Sequence, residues 1–135
     1  MRRLLLGTAL AASMVAVPVA GQGSDEAAVR ATVESYLRGL KFNDVPALRR
    51  AFWPDAKLYW RNREGHLGQL SQEEWYRGFA QNAGKEEQGD LRIVAVEVIR
   101  DIASVKVVED YATERYSDYL SLVNFDGAWK IVNKI

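Results

Sequence analysis

Three charged residues in the C-terminal half of the chain have the types and the spacing for acid–base chemistry. Arg92, Glu109 and Asp118 each continue the parity of an alternating apolar stretch, which predicts that they share the inner face of a sheet. Two carboxylates on adjacent strands repel, and the pKa of one rises unless a cation offsets the repulsion; Arg92 is expected to be that cation. The row can bind a ligand, and Asp118 is the best candidate for a catalytic base. The alternative is a solvated row of salt bridges at the rim of the sheet.

Further polar side chains are predicted near this row. Tyr111, Tyr116 and Asn133 have the parity of the charged residues and would orient a ligand there. His66 is the single histidine of the chain, and it follows a predicted turn at Glu64-Gly65. A residue in that position is expected to be exposed rather than to act as a general base.

A two-residue turn at Asp126-Gly127 determines which residues pair at the end of the chain. Both residues tolerate the positive φ of a type I′ turn, so a tight hairpin is predicted. The expected partners are Asn124 with Trp129, Leu122 with Ile131, Leu120 with Asn133, and Asp118 with Ile135. Paired residues share a face of the sheet, so this turn predicts where each side chain points.

Two further turns extend the pairing to the neighbouring strands. A turn at Arg100-Asp101 and an even-length loop within residues 112–115 place all the paired residues on the face of Trp129. The expected partners are Val98 with Ala103, Val96 with Val105, Val94 with Val107, Arg92 with Glu109, Val105 with Leu122, Val107 with Leu120, and Glu109 with Asp118. One bulge would move the residues beyond it to the opposite face.

The rest of the chain predicts helices that pack against this sheet. Helical spacing predicts a first helix over residues 25–42 with Ser24 as its cap, and a second, short helix that begins at Asn43-Asp44 and stops at residues 53–55. Strands are predicted over residues 57–62 and 66–70, and a capping box at residues 71–74 opens a third helix. Phe52, Phe79 and Trp129 are expected in the core. This order predicts an α+β domain.

Composition excludes several classes of site. The chain has 135 residues, no Cys, one His and a formal net charge of zero, which excludes disulfides, a clustered zinc site and a Cys-His pair. The sequence contains neither a Walker loop nor a GxGxxG motif, so no cofactor and no metal are expected. A basic stripe is also missing, which argues against nucleic acid as a partner.

The N-terminus is typical of a secretory signal peptide. Arg2 and Arg3 precede an apolar run over residues 4–17, and Val19 and Gly21 fit a cleavage site. We expect a signal peptide at residues 1–21, a mature domain at residues 22–135, and a secreted or periplasmic protein. The run is short for a membrane span, and no later segment could span either. An uncleaved anchor and twin-arginine export are the alternatives.

Residues 118–135 and the order of elements resemble the "putative lumazine-binding" branch of the nuclear transport factor 2-like (NTF2-like) superfamily, which also holds SnoaL-like cyclases and ketosteroid isomerases. The resemblance implies a cone of three N-terminal helices packed in a strongly bent antiparallel sheet. It also implies a pocket between the first helix and the first strands, where Tyr36 and Trp60 would stack on a planar ligand. The isomerases' catalytic aspartate would fall near residues 59–61, which contain no aspartate, so their chemistry does not carry over.

These observations predict an exported domain that binds a small, planar organic ligand in the cone. The expected ligand-binding residues are Tyr36, Trp60, Arg92, Glu109, Tyr111, Asp118 and Asn133. One alternative is a cofactor-independent enzyme of isomerase, cyclase or hydrolase type that uses an inner-face carboxylate. The other is a dimeric interaction module, because an apolar outer face suits a homodimer. That outer face is predicted to carry Ile93, Ala95, Val108, Tyr119, Ser121, Val123 and Val132.

Overall fold

Two helices open the described part of the chain. The computed structural model describes residues 21–135, so the predicted signal peptide lies almost entirely outside the described residues. Helix α1 (Gln22–Phe42) begins three residues before the predicted start, and Ser24 lies inside it, where its hydroxyl donates to the carbonyl of Gly21 instead of capping. Helix α2 (Val45–Ala51) begins as predicted, because the side chain of Asp44 accepts a hydrogen bond from the backbone of Ala47.

A hairpin and a third helix follow. Strand β1 (Phe52–Arg61) begins directly after α2, where a break was predicted; it is irregular between Phe52 and Lys57, which allows Pro54 to lie within it. Strand β2 (Leu67–Ser71) returns antiparallel to β1. The predicted capping box at Ser71 and Glu74 is confirmed at the start of helix α3 (Gln72–Tyr76), which continues as a 3-10 helix (Arg77–Asn82).

Four long strands complete a six-stranded sheet. They are β3 (Gly89–Ile99), β4 (Ile102–Tyr111), β5 (Arg115–Phe125) and β6 (Ala128–Lys134). The sheet order is β2-β1-β6-β5-β4-β3, with every pair antiparallel except β1 and β6, which are parallel. Helix α1 packs across β3 and β6. The α+β architecture with helices packed on the inner face of the sheet is therefore confirmed.

The inner face of the sheet and the helices enclose the apolar core. The side chain of Trp129 is 4% exposed, and Phe52 is 2% exposed, as predicted for core residues. Phe79 is partly buried and packs against the edge of the same core. The other large buried side chains are Val29, Val33, Tyr36, Leu48, Val105, Val107, Leu120, Leu122 and Ile131.

The predicted pairing of β5 and β6 is correct near the turn and wrong beyond a bulge. Asp126 and Gly127 have φ values of 53° and 93°, and the expected partners nearest the turn, Asn124 with Trp129 and Leu122 with Ile131, are observed. Val132 is then an extra residue in β6, so Ser121 pairs with Asn133 and Leu120 pairs with Lys134. The bulge places Lys134, rather than Asn133, on the inner face.

A second bulge changes the pairing of β3 and β4. The pairs nearest the Arg100-Asp101 turn are observed as predicted, but Val94 is an extra residue in β3. Beyond it Ile93 pairs with Val107 and Arg92 pairs with Val108. Arg92 therefore moves to the outer face, and Ile93, predicted on the outer face, packs against the core.

The pairing of β4 and β5 differs from the prediction by two residues. Glu109 lies opposite Tyr116, and Asp118 lies opposite Val107, so the two carboxylates are diagonal neighbours rather than direct partners. The backbone N–H of Tyr111 donates to the carbonyl of Glu114, so the turn is centred one residue earlier than the predicted pairs require. A shift of two residues preserves the face of every side chain, so Glu109 and Asp118 still point inward as predicted.

Candidate functional site

A cavity of about 650 Å³ opens at the end of the cone away from the Asp126-Gly127 turn. We call it the cone cavity. Its walls come from α1, α3 and its 3-10 extension, the loop before β3, and the ends of β4, β5 and β6. The lining residues are Tyr36, Leu40, Asn43, Trp75, Phe79, Glu86, Glu87, Gln88, Glu109, Tyr111, Ala112, Thr113, Glu114, Tyr116 and Lys134.

Tyr36 links two buried carboxyl groups at the floor of the cone cavity. It is fully buried on the inward side of α1. Its hydroxyl oxygen lies 2.8 Å from Oε1 of Glu109 and 2.7 Å from Oδ2 of Asp118. The hydroxyl has one proton and can donate it to only one of these carboxyl groups. Two ionised carboxylates could not both receive it, so the geometry favours one protonated carboxyl group, whose acidic proton the cluster shares.

Glu109 holds that proton at neutral pH. It is 4% exposed, and its burial, its hydrogen bond with Asp118 and the charge of Asp118 raise its pKa to about 8. Burial also acts to raise the pKa of Asp118, but the hydrogen bond from Glu109 and the ammonium of Lys134 outweigh it, and that pKa falls below its usual range. The cluster therefore contains a neutral acid beside an ionised carboxylate.

Lys134 supplies the positive charge that the sequence had assigned to Arg92. Its Nζ lies 2.6 Å from Oδ2 of Asp118, and its side chain is 18% exposed. No local pattern in the sequence marks the bulge that brings it inward. A buried carboxylate pair does imply a nearby cation, and every basic residue of the neighbouring strands is a candidate for that role.

Arg92 and Asn133 do not lie in the row where the sequence placed them. Arg92 forms ion pairs on the outer face with Asp90 at 2.7 Å and Asp110 at 2.8 Å. Arg115 also pairs with Asp110, and these guanidinium groups lower the pKa of Asp110 to about 2. Asn133 pairs with Ser121 on the outer side, and its Oδ1 is buried with no hydrogen-bond partner among the described residues.

Aromatic rings form the walls of the cone cavity. Tyr111 and Tyr116, predicted from parity, lie edge to face with ring centroids 6.1 Å apart. Burial and the neighbouring Glu109 raise the pKa of Tyr111, which keeps it neutral. Trp75 and Phe79, also edge to face at 5.0 Å, were not predicted to line a site. Their helical spacing is equally typical of core residues, so the sequence could not separate the two roles.

A second cavity of about 420 Å³ lies on the other side of Lys134. We call it the side cavity. Asp118 and Trp60 line it, and Trp75, Tyr116 and Lys134 line both cavities. The indole of Trp60 is 42% exposed and covers Gly68 on β2, where any larger side chain would clash with it. Trp60 is therefore placed beside the site, although not in the cone cavity with Tyr36.

Other candidate sites gain no support within residues 21–135. The side chain of His66 is 77% exposed beside Glu64, as expected for a residue after a turn. No group of His, Asp or Glu side chains in this part of the chain could hold a metal ion. None of the described helices is long and apolar enough to cross a membrane.

Comparison with known families assigns the chain to one of them. Residues 24–135 match the family described as "Putative lumazine-binding". The chain belongs to this family. Among curated proteins, no relative matches the chain.

Solved structures share the fold. An NTF2-like protein of unknown function from Silicibacter pomeroyi is 32% identical, with a TM-score of 0.72 over 83% of this chain and 93% of that one. A protein of the same description from Shewanella baltica is 19% identical, with a TM-score of 0.76 over 84% and 93%. One from Methylobacillus flagellatus is 20% identical, with a TM-score of 0.73 over 86% and 93%. The fold is thus NTF2-like.

Proposed function

We propose that this protein binds a small, planar organic molecule in the cone cavity. The observation that carries the proposal is an open cavity of about 650 Å³ with a buried polar floor and aromatic walls. Ligand sites of small molecules combine flat apolar walls with a few fixed polar groups. Here Tyr111 and Tyr116 offer ring faces, and Glu109 offers a carboxyl group at the floor.

The polar floor supports a role beyond folding. Burying Glu109 and Asp118 costs desolvation energy that an apolar pair of the same size would not. The cost is offset only by a shared proton, the hydroxyl of Tyr36 and the ammonium of Lys134. Groups with such displaced pKa values are concentrated at functional sites.

Closing the cavity tests the proposal. Ala112→Trp places an indole in the cavity wall from an exposed turn, and Ala128→Trp makes the same change at an exposed position outside it. We expect mass spectrometry to detect a co-purifying small molecule in the wild type and in Ala128→Trp but not in Ala112→Trp. Titration with 2-naphthalenemethanol, followed by tryptophan fluorescence, should likewise show binding by the wild type and by Ala128→Trp but not by Ala112→Trp. Equal binding by both variants, or none by the wild type, would contradict the proposal.

Proton transfer is a second candidate function, supported by the shared proton itself. Glu109 is neutral and Asp118 is ionised at neutral pH, so one can donate a proton while the other accepts one. Asp118, the catalytic candidate from the sequence, lines the side cavity, whereas Glu109 lines the cone cavity. A cofactor-independent isomerase, cyclase or hydrolase would need an acid and a base of this kind.

An exchange reaction tests this candidate. If the protein is such an enzyme, we expect it to accelerate deuterium exchange at the carbon next to the carbonyl of 2-tetralone above the rate in buffer alone. NMR in heavy water measures both rates. Asp118→Asn and Glu109→Gln should each slow the exchange by roughly a hundredfold, the usual effect of losing a general acid or base. Exchange no faster than in buffer alone would contradict proton abstraction at such a carbon and would favour binding without catalysis.

Export is proposed from the N-terminal pattern alone. The mature chain should begin near Gln22, because Val19 and Gly21 fit the cleavage site. N-terminal sequencing of periplasmic or secreted material checks this expectation. Material from those fractions that begins at Met1 would contradict it.

We also propose that the protein forms a homodimer through the outer face of the sheet. Val94, Ile99, Ile102 and Tyr119 are 51%, 56%, 53% and 52% exposed, and all lie on β3, β4 or β5. Covering them with a second copy would remove apolar surface from water. Light scattering at high micromolar concentration should show a dimer that Ile102→Lys converts to a monomer. A monomeric wild type would contradict the arrangement.

A further inference from the structure

Acidic side chains surround the entrance of the cone cavity. Glu86, Glu87 and Glu114 line it, and Lys134 is the only basic residue among its lining residues. Lys134 already pairs with Asp118 at 2.6 Å, so its charge is largely neutralised within the protein. The cavity therefore presents more negative than positive charge to any molecule that enters.

Two of these carboxylates are held by neutral groups instead of cations. The amide of Asn43 donates to Oε1 of Glu87 at 2.9 Å, and the hydroxyl of Tyr116 donates to Glu114. Within residues 21–135, neither carboxylate has a lysine or arginine nitrogen within salt-bridge distance. Glu86 differs, because Lys41 lies 3.5 Å from it. The structure thus fixes Glu87 and Glu114 in position without neutralising them.

The same walls carry aromatic faces. Trp75, Phe79, Tyr111 and Tyr116 line the cavity together with the acidic groups. The face of an aromatic ring attracts a cation, and the attraction is stronger where water is displaced. Carboxylates and ring faces around one cavity favour the same ligand charge, and both disfavour an anion.

We infer that the cone cavity takes an organic cation, an amine or amidine joined to a flat ring system. This inference specifies the ligand class of the binding function proposed above and rests on it. The flat body would lie against Trp75 and Phe79 on the α3 side. The cationic group would face Glu87 and Glu114. Phosphorylated or carboxylated molecules of the same shape would be rejected, because they would bring negative charge to uncompensated carboxylates.

Three probes with one ring system test the inference. 2-Naphthylmethylamine is a cation at neutral pH, 2-naphthalenemethanol is neutral, and 2-naphthoate is an anion. We expect the amine to bind about tenfold more tightly than the alcohol at low salt, and the naphthoate to bind most weakly. The advantage of the amine should shrink as salt is added, since the carboxylates are partly exposed. Titration calorimetry and tryptophan fluorescence measure the three dissociation constants.

Charge-removing variants locate the effect. The double variant Glu87→Gln/Glu114→Gln keeps side-chain size and the acceptor oxygens used by Asn43 and Tyr116. It should reduce the amine-to-alcohol ratio to about two or less, because it weakens binding of the amine more than binding of the alcohol. Glu34→Gln, on an exposed part of α1 outside the cavity, is the matched control and should keep the full ratio.

The outcomes separate this inference from the binding function. Equal or tighter binding of the alcohol or the naphthoate would overturn the cation preference and leave ligand binding intact. An amine preference that persists in the double variant would also overturn it, because the preference would then arise elsewhere. Failure of all three probes to bind would overturn the proposed function, and the inference with it.

Discussion

The two halves of the inner sheet face use the same strands and bury opposite kinds of side chain. The half near the Asp126-Gly127 turn holds Leu122, Trp129 and Ile131, all at most 4% exposed. The other half holds Glu109 and Asp118, which are 4% and 6% exposed. Burial is equally deep, so the difference lies in how the buried groups are stabilised.

The apolar half is stabilised by burial itself, at about 25 cal/mol per Å² of apolar surface removed from water. The polar half gains nothing from burial and depends on a proton, a hydroxyl group and an ammonium group in fixed positions. Stability is therefore concentrated at one end of the cone, and chemical sensitivity at the other. Substitutions in the two halves should differ in their dependence on pH as well as in size.

The largest effect is expected in the apolar half. Trp129→Ala should lower the free energy of unfolding by about 3–5 kcal/mol, because it leaves a large cavity beside Leu122 and Ile131. The loss should be nearly the same at pH 5 and pH 8. Denaturant titration measures both values. Trp60→Ala, at a site that is 42% exposed, is the control and should cost far less. Equal losses at the two positions would show that the core is wrongly assigned.

In the polar half, Lys134→Met should cost about 2–3 kcal/mol at pH 7, since it leaves the carboxylate of Asp118 buried without its cation. Removing the ammonium should raise the pKa of Asp118. The cost should then shrink as the pH falls and Asp118 becomes protonated. Lys130→Met on the same strand removes a lysine whose ammonium donates to the carbonyl of Arg50, away from Asp118, and is the control. A cost that does not vary with pH would contradict the ion pair.

Glu109 should make stability fall as the pH rises. Its pKa is about 8 in the folded protein and 4.5 in an unfolded chain. Between these pH values the folded state binds one proton more than the unfolded state. The contribution of Glu109 to the free energy of unfolding is therefore complete below pH 4.5, falls as the pH rises, and is lost once the pH passes 8. The slope should approach about 1.4 kcal/mol per pH unit. Glu109→Gln should remove this dependence of stability on pH. Denaturant titrations of both proteins at several pH values measure it. A slope that is unchanged in the variant would show that another group causes it.

The comparison also shows what the sequence could predict. The apolar half follows from turn chemistry, because two positive-φ residues at Asp126-Gly127 fix the nearest pairs and the face of Trp129. The helices, the capping box at Ser71 and the α+β order follow from local patterns in the same way. Glu109 and Asp118 were placed on the correct face because an error of two residues does not change parity.

The details of the polar half depended on two bulges. Extra residues at Val94 and Val132 moved Arg92 and Asn133 outward and brought Lys134 inward. A valine in a bulge has the same local pattern as a valine in a regular strand, so no nearby residue marks it. The bend of the whole sheet determines where a strand must accommodate an extra residue. That is a property of the assembled structure and not of the segment.

The smallest expected effect lies at the position that the bulge moved. Asn133→Leu should change the free energy of unfolding by less than about 1 kcal/mol, because Oδ1 of Asn133 is buried without a partner and no hydrogen bond from it is lost. Ligand affinity should be unchanged, because the side chain lines neither the cone cavity nor the side cavity. Denaturant titration and the 2-naphthalenemethanol titration measure the two quantities. Had Asn133 pointed inward, as regular pairing predicts, the same change would remove a polar group from the site and weaken binding. A loss of affinity like that expected on closing the cavity with Ala112→Trp would therefore place Asn133 inside and contradict the bulge at Val132.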